Sequence, residues 1–322
     1  MLSNGDLAVQ LIQHQLKLLV KLQTPVLSGR DPEDLHQMRV AMRRLRSTVE
    51  HLRPALQLPI AVSDARLAKA GRRLGLARDL DVLQHRLDGS LMPQLPDGER
   101  RALRLVIKQL HRERQLAHRH VVEQLQGGAY LELLAQLQRW LKKPALTPLG
   151  EAPLSDWLLE WQVPQLSKLF LNPAWFLEQL TNSEERESLH GLRKQIKAVR
   201  YQLENCRPLL GPASLGWLDR FKQMQELLGE LNDLQVLQKA IDDQMPLGLE
   251  RSLPKLHGLL DQAGRTCWVR WRDLVERHHG VGQRRQLLQA LLADQRRAHR
   301  RRQAHQLRSW IRGEFLSENP AG

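Results

Sequence analysis

The sequence predicts an all-α protein built from antiparallel helical bundles, and three observations lead to that prediction. Leu, Gln, Arg and Ala dominate the chain, whereas β-branched and aromatic residues are sparse. No stretch of strand length alternates apolar and polar residues. Long segments of helical periodicity are separated by short turns containing Pro or Gly, and short connections make helices that are adjacent in sequence adjacent in space.

Capping signals mark the helix boundaries. Asp31 is a good N-cap, Pro32 suits the first turn, and the same segment ends at Pro54. Asn182 opens a comparable segment that ends at Pro208. In chain order the predicted helices span 6–27, 31–53, 60–89, 97–126, 129–142, 154–171, 173–180, 184–207, 213–243, 250–279 and 283–315.

A Pro-rich stretch divides the chain near its middle. Residues 141–153, with the sequence LKKPALTPLGEAP, have little apolar periodicity and are typical of a linker. We therefore expect one helical bundle in residues 1–143 and a second in residues 153–322.

The charge balance points to a polyanionic partner. Lys and Arg number 49 against 35 Asp and Glu, which gives a net charge of +14 and a pI near 10.4. Nucleic acid, an anionic membrane surface and a phosphate polymer all fit this balance, because net charge reports the sign of a partner and not its identity.

The location of the protein is predicted from what the sequence lacks. Its two cysteines, Cys206 and Cys267, are too few for a disulfide framework, which indicates a reducing compartment. The N-terminal segment has no signal-peptide pattern, and no window has the ~18 uninterrupted apolar residues of a membrane span. We expect a soluble, cytoplasmic protein that does not associate with membranes.

The sequence repeats itself at an offset of 154 residues, the separation of His36 from His190. Residues 35–56 superpose on 189–210, and residues 74–84 superpose on 228–238 without a gap. A helix pair has therefore been duplicated. His36, Arg39, Arg43, Arg46, Glu50, Arg53 and Pro54 correspond to His190, Arg193, Lys197, Arg200, Glu204, Arg207 and Pro208.

Each copy carries a cationic stripe on one side of its helix. The His, the three cations and the Glu of the first copy fall within an arc of about 80°, opposite an apolar face. A solvated amphipathic face would explain this pattern, but such faces usually mix charge signs because like charges at i,i+4 destabilise a helix. Both copies keep the repulsion, which suggests that an anion relieves it.

The spacing of the stripe suits a linear polyanion. Cations at i, i+3 or i+4 stand about 5–6 Å apart along a helix. Arginine holds two phosphate oxygens with its planar fork, and lysine adds a point charge. Two such stripes facing each other would focus their field into a groove.

The repeated pattern H-x-x-R-x-x-x-[RK]-x-x-R, followed by LG-x-x-x-DL, resembles the conserved histidine α-helical domain, abbreviated CHAD. The motifs recur in order at a single offset, and with the flanking helices the resemblance covers nearly the whole chain, 1–322. It implies two four-helix bundles related by a pseudo-twofold axis and a central basic groove or pore that binds inorganic polyphosphate. It also implies an association with polyphosphate granules or polyphosphate metabolism.

Carried over residue by residue, the resemblance assigns polyphosphate binding to eight cationic or histidine side chains. Asp79 and Asp233 are predicted to orient the guanidinium groups, although an ordinary surface ion pair is the alternative reading. Arg78 is replaced by Asn232 in the second copy, so the two halves need not contribute equally. The binding set is His36, Arg39, Arg43, Arg46, His190, Arg193, Lys197 and Arg200, with Arg66, Arg78 and Arg220 as further candidates.

Catalysis has no support in the sequence. It contains no Gly-rich phosphate loop, no nucleophile elbow and no CxxC pattern. His36 and His190 are flanked by arginines, which disfavour a metal dication. Some CHAD relatives carry an appended triphosphatase-type domain, and this chain shows no acidic strand pattern of that kind. We predict a non-enzymatic protein without metal or cofactor.

Two segments have no counterpart in the family motifs. Residues 129–142, with Trp140, form one of them, and the basic helix after Gly282 is the other. This last helix carries arginines around much of its circumference. We interpret it as a solvated tail, an extra polyanion contact or a nucleic-acid arm. Nonspecific nucleic-acid binding is thus the alternative function, although no recognition-helix or RNP motif accompanies it. The arginines concerned are Arg296, Arg297, Arg300, Arg301, Arg302 and Arg308.

Overall fold

The computed structural model describes residues 2–317, with side chains through residue 304. Helices are the only regular elements in this range, since extended pairing is limited to two isolated bridges, and the all-α prediction is confirmed. The α-helices are α1 (Asn4–Ser28), α2 (Pro32–Leu52), α3 (Asp64–Arg86), α4 (Asp97–Gln126), α5 (Gly128–Lys142), α6 (Pro148–Glu151), α7 (Leu158–Phe170), α8 (Ser183–Asn205), α9 (Pro212–Asp242), α10 (Gly248–Ser252), α11 (Pro254–His278) and α12 (Val281–Ser317).

Local capping fixes the two helices that carry the stripes. The Asp31 side chain accepts from the Glu33 amide at 2.8 Å to open α2. Asn182 and Glu185 form a reciprocal capping box that opens α8. Each helix ends just before an Arg-Pro pair, in a 3-10 turn at Arg53–Ala55 or Arg207–Leu209. The predicted boundaries of both helices are correct within two residues.

Four other predicted boundaries are wrong, and each has a physical cause. α3 begins at its Ser63 cap and not at residue 60. The predicted helix 250–279 breaks before Pro254, which cannot donate an amide hydrogen bond within a helix. α7 begins at Leu158, after a 3-10 turn at Leu154–Asp156.

The predicted helix at 173–180 is the fourth error. Only a 3-10 turn at Pro173–Phe176 forms there. Trp175 is buried, stacks on Trp271 with ring centroids 5.5 Å apart, and donates from Nε1 to the Leu169 carbonyl at 2.7 Å. Burial of this indole against α11 therefore overrides the local helical pattern.

The helices pack in chain order around one continuous leucine-rich core. α1 to α4 contact one another in the first half, and α7, α8, α9 and α11 do so in the second, with α12 lying against α7 and α9. Buried Leu, Val, Ile and Met from both halves belong to this core, and Trp175, Trp217, Trp271 and Phe221 add aromatic volume to its second half. α2 and α8 also contact each other, so the two helices that carry the stripes meet at the junction of the halves.

The segment predicted as a linker is packed onto the first half. The buried Asn4 amide donates to the carbonyls of Leu149 and Ala152 at 2.9 and 3.1 Å. Gly150 lies against the Ala55 carbonyl so closely that any side chain there would collide with the backbone. Residues 141–153 therefore connect the halves as an ordered strap, because their backbone polar groups find partners on α1 and on the end of α2.

Two further contacts join the halves. The Glu99 carboxylate, at the start of α4, accepts from the amides of Lys255 and Leu256 at 2.9 Å each and so caps α11. Trp161 on α7 donates from Nε1 to Asn4 Oδ1 at 2.8 Å. No helix of the described residues is both long and apolar enough to cross a membrane.

Candidate functional site

The cationic stripes of α2 and α8 come together where the two helices touch. Arg43 on α2 donates a hydrogen bond to the Tyr201 hydroxyl on α8. Arg44 forms an ion pair with Glu204 at 3.1 Å across the same contact. The sequence could not show this meeting of the copies, because the partners are more than 150 residues apart in the chain.

Four cations lie at the centre of this contact, and we call them the central cation cluster: Arg39, Arg43, Arg193 and Lys197. Burial and, to a smaller extent, the positive charges of Arg43, Arg193 and Arg39 together lower the pKa of Lys197 to about 7. No carboxylate forms an ion pair with Lys197 among the side chains that the structure describes. Burial also lowers the pKa values of Arg43 and Arg193, and the Nε–H of each is buried without a hydrogen-bond partner.

Two aspartates lie beside the cluster at equivalent positions of the repeat. Asp79 pairs with Arg39 at 3.3 Å, and Asp233 lies close enough to Arg193 to raise its pKa. Desolvation raises the pKa of Asp79, the charge of Asp233 adds to that rise, and Arg39 opposes it. The Asp79 side chain is nevertheless 57% accessible. Solvent therefore reaches the edge of the cluster at this carboxyl group.

The glycine of the LG-x-x-x-DL motif makes room for the arginine of the stripe. A Cβ at Gly229 would stand 3.2 Å from Arg193 Nη2, and one at Gly75 would stand 3.5 Å from Arg39 Nε. Each guanidinium therefore lies flat against the helix that carries the aspartate. The motif positions one arginine in each copy by removing a side chain beneath it and placing a carboxylate next to it.

The histidines lie outside the central cation cluster, each within its own helix pair. Arg78 Nε donates to His36 Nδ1 at 3.2 Å, so that nitrogen carries no proton. The second copy has Asn232 beside His190 in place of the arginine. Burial lowers both histidine pKa values, Arg78 lowers that of His36 further, and Lys194 lowers that of His190. Neither histidine ring affects the pKa of the other.

The two arginines at the far ends of the stripes are engaged by acids. Arg46 makes a two-pronged contact with Asp64 on α3, at 2.6 and 3.1 Å. Arg200 pairs with Glu204 on its own helix and donates to the Gln225 side chain at 3.0 Å. These two arginines are therefore less available to an external anion than the four cations of the central cluster.

Tyr201 is a site residue that sequence reasoning missed. Its ring is buried, and the guanidinium carbons of Arg43, Arg44 and Arg200 lie 5.3, 5.0 and 4.6 Å from its centroid. Favourable cation–π contacts occur within about 6 Å, so one ring holds three arginines in place. The equivalent residue of the first copy is Ser47, and this break in the repeat was the available signal.

The additional basic candidates do not join the cluster. Arg66 is exposed and contacts the Ala61 carbonyl at 3.4 Å. Arg220 lies over the Trp217 ring at 4.8 Å and donates to Gln283. Neither forms a hydrogen bond or ion pair with the central cation cluster among the described side chains, whereas Arg78 bonds to His36 and its charge opposes the rise in the pKa of Asp79.

The basic C-terminal helix is partly neutralised where it meets the body. Arg297 pairs with Asp294, and Arg302 pairs with Asp156. Arg296, Arg300 and Arg301 are exposed and border an open cavity of about 610 Å³. The side chain of Arg308 lies outside the described residues.

The metal and thiol chemistry of the described residues is limited. These residues contain no group of three or more His, Cys, Asp or Glu that could hold a metal ion. Cys206 and Cys267 are buried free thiols, and burial raises their pKa values to about 12 and about 11. Thiols with raised pKa values are poor nucleophiles at neutral pH.

The sequence model of the CHAD domain matches residues 10–242. The chain belongs to the CHAD domain family. All of the candidate site residues named above, apart from those on α12, lie inside the matched range, whereas α10, α11 and α12 follow it.

Two solved structures share the CHAD fold with this chain. The crystal structure of the CHAD domain from the plant Ricinus communis is 22% identical, with a TM-score of 0.62 over 85% of this chain and 92% of the other. PptA from Streptomyces chartreusis is 16% identical, with a TM-score of 0.64 over 84% and 99%. No curated protein sequence matches at a significant level.

Proposed function

We propose that this CHAD protein binds inorganic polyphosphate, without chemically altering it, along the contact between α2 and α8. The observation that supports the proposal is the central cation cluster: Lys197 is surrounded by arginines, and its pKa is lowered to about 7 by burial and by their charge. A fold gains no stability from bringing like charges together and partly burying them, because both the repulsion and the lost hydration are costly. An anion placed among these four cations would remove that cost.

The shape of the cluster favours a chain of phosphates over a single anion. On α2 the stripe runs from His36 to Arg46, about 15 Å along the helix axis. The corresponding stripe of α8 meets it across Tyr201. A polymer with a negative charge on every unit can contact many of these cations at once.

Asp79 and Asp233 are proposed to position the arginines without cancelling their charge. The pairs lie at the glycines of the motif, where each guanidinium rests against the neighbouring helix. Arg193 keeps its Nε–H unpartnered despite the nearby carboxylate. The remaining donors of the arginines are therefore available to phosphate oxygens.

A calorimetric titration with polyphosphate of about 100 units tests the proposal, using the double variant Arg39→Ala/Arg193→Ala. A hydrogen bond to a charged group contributes about 1.5–3 kcal/mol, so we expect affinity to fall at least tenfold. The control removes two exposed lysines of α1 with Lys17→Gln/Lys21→Gln, which changes net charge equally. Circular dichroism verifies that both variants fold. Unchanged affinity in the arginine variant would remove the groove from consideration.

The same titration separates the alternatives. Polyphosphate should displace duplex DNA that is already bound to the protein. If duplex DNA instead displaces bound polyphosphate, the result supports nucleic-acid binding. Incubation with polyphosphate and Mg²⁺ should release no phosphate if the protein is not an enzyme. We further propose a cytoplasmic location at polyphosphate granules, which imaging of a tagged chain would check.

A further inference from the structure

α4 carries a second row of cations on its outer surface, which we call the α4 stripe. It runs along the helix for about 27 Å and falls within an arc of about 80°. All five of its side chains are exposed, and none forms an ion pair with any side chain that the structure describes. The members are Arg101, Arg104, Lys108, Arg112 and Arg119.

The acids of α4 form no ion pair with this stripe. Asp97 pairs with Arg100, which lies outside it. Glu99 caps α11 on the other half of the molecule. Glu113 accepts a hydrogen bond from the Gln109 side chain, and a Glu123 carboxylate oxygen lies 3.1 Å from His120 Nδ1. An acid therefore lies one turn beyond each end of the stripe, Asp97 before Arg101 and Glu123 after Arg119, whereas its middle has no acid partner among the described side chains.

The fold does not require these cations, as α11 demonstrates. The buried residues of α4 recur in α11 at an offset of 150, the separation of Leu103 from Leu253. At that offset the solvent-facing positions of four stripe residues hold no charge in α11. The buried pairs are Leu103/Leu253, Val106/Leu256, Leu110/Leu260, Ala117/Cys267, Val121/Trp271 and Leu125/Val275, and the exposed uncharged residues are Pro254, Gly258, Gln262 and Val269.

Ordinary solubility also fails to explain the stripe. On α11, by contrast, two exposed arginines are matched by acids one turn away, Arg265 by Asp261 and Arg277 by Asp273. In the α4 stripe, Arg104, Lys108 and Arg112 follow one another at i,i+4 spacing. Like charges at this spacing destabilise a helix by roughly 0.2–0.5 kcal/mol per pair, and an external anion would relieve them.

We propose that the α4 stripe is a second contact surface for long polyphosphate chains, separate from the central cation cluster; this inference rests on the proposed function. The ligand chemistry follows from the composition of the stripe. α4 contains no Phe, Trp or Tyr on which bases could stack, which favours a polymer of phosphates alone. Leu105 and Leu116 flank the cations, too few to anchor the helix in a membrane.

A second contact makes affinity depend on polymer length. A chain long enough to reach both surfaces binds the second one as an intramolecular event, at a high effective concentration. A short polymer occupies only the central cation cluster. The α4 stripe therefore contributes to the binding of long chains and leaves tripolyphosphate binding unchanged.

The test reverses two charges of the stripe with Lys108→Glu/Arg112→Glu. The matched control, Lys17→Glu/Lys21→Glu, reverses two exposed cations at the same spacing on α1 of the same bundle. Each protein is titrated with tripolyphosphate and with polyphosphate of about 100 units, at several salt concentrations. We expect the α4 variant to lose at least about fivefold in long-chain affinity and to reduce the salt slope by about 2, more than the control does.

Three results would overturn the inference. Long-chain affinity could be unchanged in the α4 variant, or it could fall equally in the control. The α4 variant could also lose binding to duplex DNA, or to vesicles rich in anionic phospholipid, while keeping its polyphosphate affinity. A parallel Lys197→Gln variant separates the two proposals. If this variant binds tripolyphosphate and the long chain with unchanged affinity while the α4 variant loses affinity for the long chain, the proposal for the central groove is rejected and that for the α4 stripe is retained.

Discussion

Lys197 should take up a proton when a phosphate polymer binds. In the free protein its pKa is lowered to about 7, by burial first and then by the charges of Arg43, Arg193 and Arg39. A polyanion placed among these groups favours the charged ammonium and raises that pKa toward its ordinary value of 10.5. Binding between pH 7 and that value therefore transfers a proton from buffer to protein.

The magnitude follows from the two protonation states. At a pH of about 8.5, a lysine with a pKa of about 7 is roughly 3% charged, and the bound form is almost fully charged. Uptake should approach one proton per central site. Affinity should fall as pH rises above the free pKa of about 7, by up to about tenfold, or 1.4 kcal/mol, per pH unit. The pKa values of His36 and His190 are lowered from 6.5, so these rings remain neutral near pH 8.5 unless the polymer raises their pKa values above it.

Calorimetry in two buffers with different ionisation enthalpies measures the uptake directly. The variant Lys197→Gln should abolish it while retaining weaker binding through the arginines. Without ligand, the folded state binds fewer protons at Lys197 than the unfolded state does between pH 7 and 10.5. The contribution of Lys197 to the free energy of unfolding therefore rises with pH in this range, whereas that of a lysine paired with an acid would fall. Zero uptake in the wild type, or equal uptake in the variant, would refute the reasoning.

Three further substitutions probe the packing of the site and of the halves. Tyr201→Phe removes the hydroxyl that accepts a hydrogen bond from Arg43 of α2, and urea denaturation should show a free energy of unfolding lower by about 1.5–3 kcal/mol. The control Tyr130→Phe removes a buried hydroxyl that has no partner and should not lower it. Asp64→Asn should free Arg46 and tighten polyphosphate binding a few-fold in calorimetry; no change would place that arginine beyond the ligand's reach. Glu99→Gln should destabilise the protein by about 1–2 kcal/mol in thermal unfolding because it weakens the cap of α11, and an unchanged melting temperature would contradict that role.

The helices could be predicted where their ends depend on nearby residues. The Asp31 and Asn182 caps and the prolines after α2 and α8 act within a few residues, so the sequence locates them. The segment 173–180 could not be predicted in this way, because a stacked pair of indoles from distant parts of the chain decides its conformation. The same limit applies to residues 141–153, whose partners lie on α1 and at the end of α2.

The cationic residues, their spacing and their repetition could be predicted from the chain alone, since periodicity and an offset of 154 are properties of the sequence. Which of these cations remain without an acid depends on how the helices pack. Arg46 finds Asp64 on a neighbouring helix, whereas Lys197 is buried among arginines next to a tyrosine that the first copy lacks. Charge is encoded locally, whereas burial and pairing depend on which helices pack together.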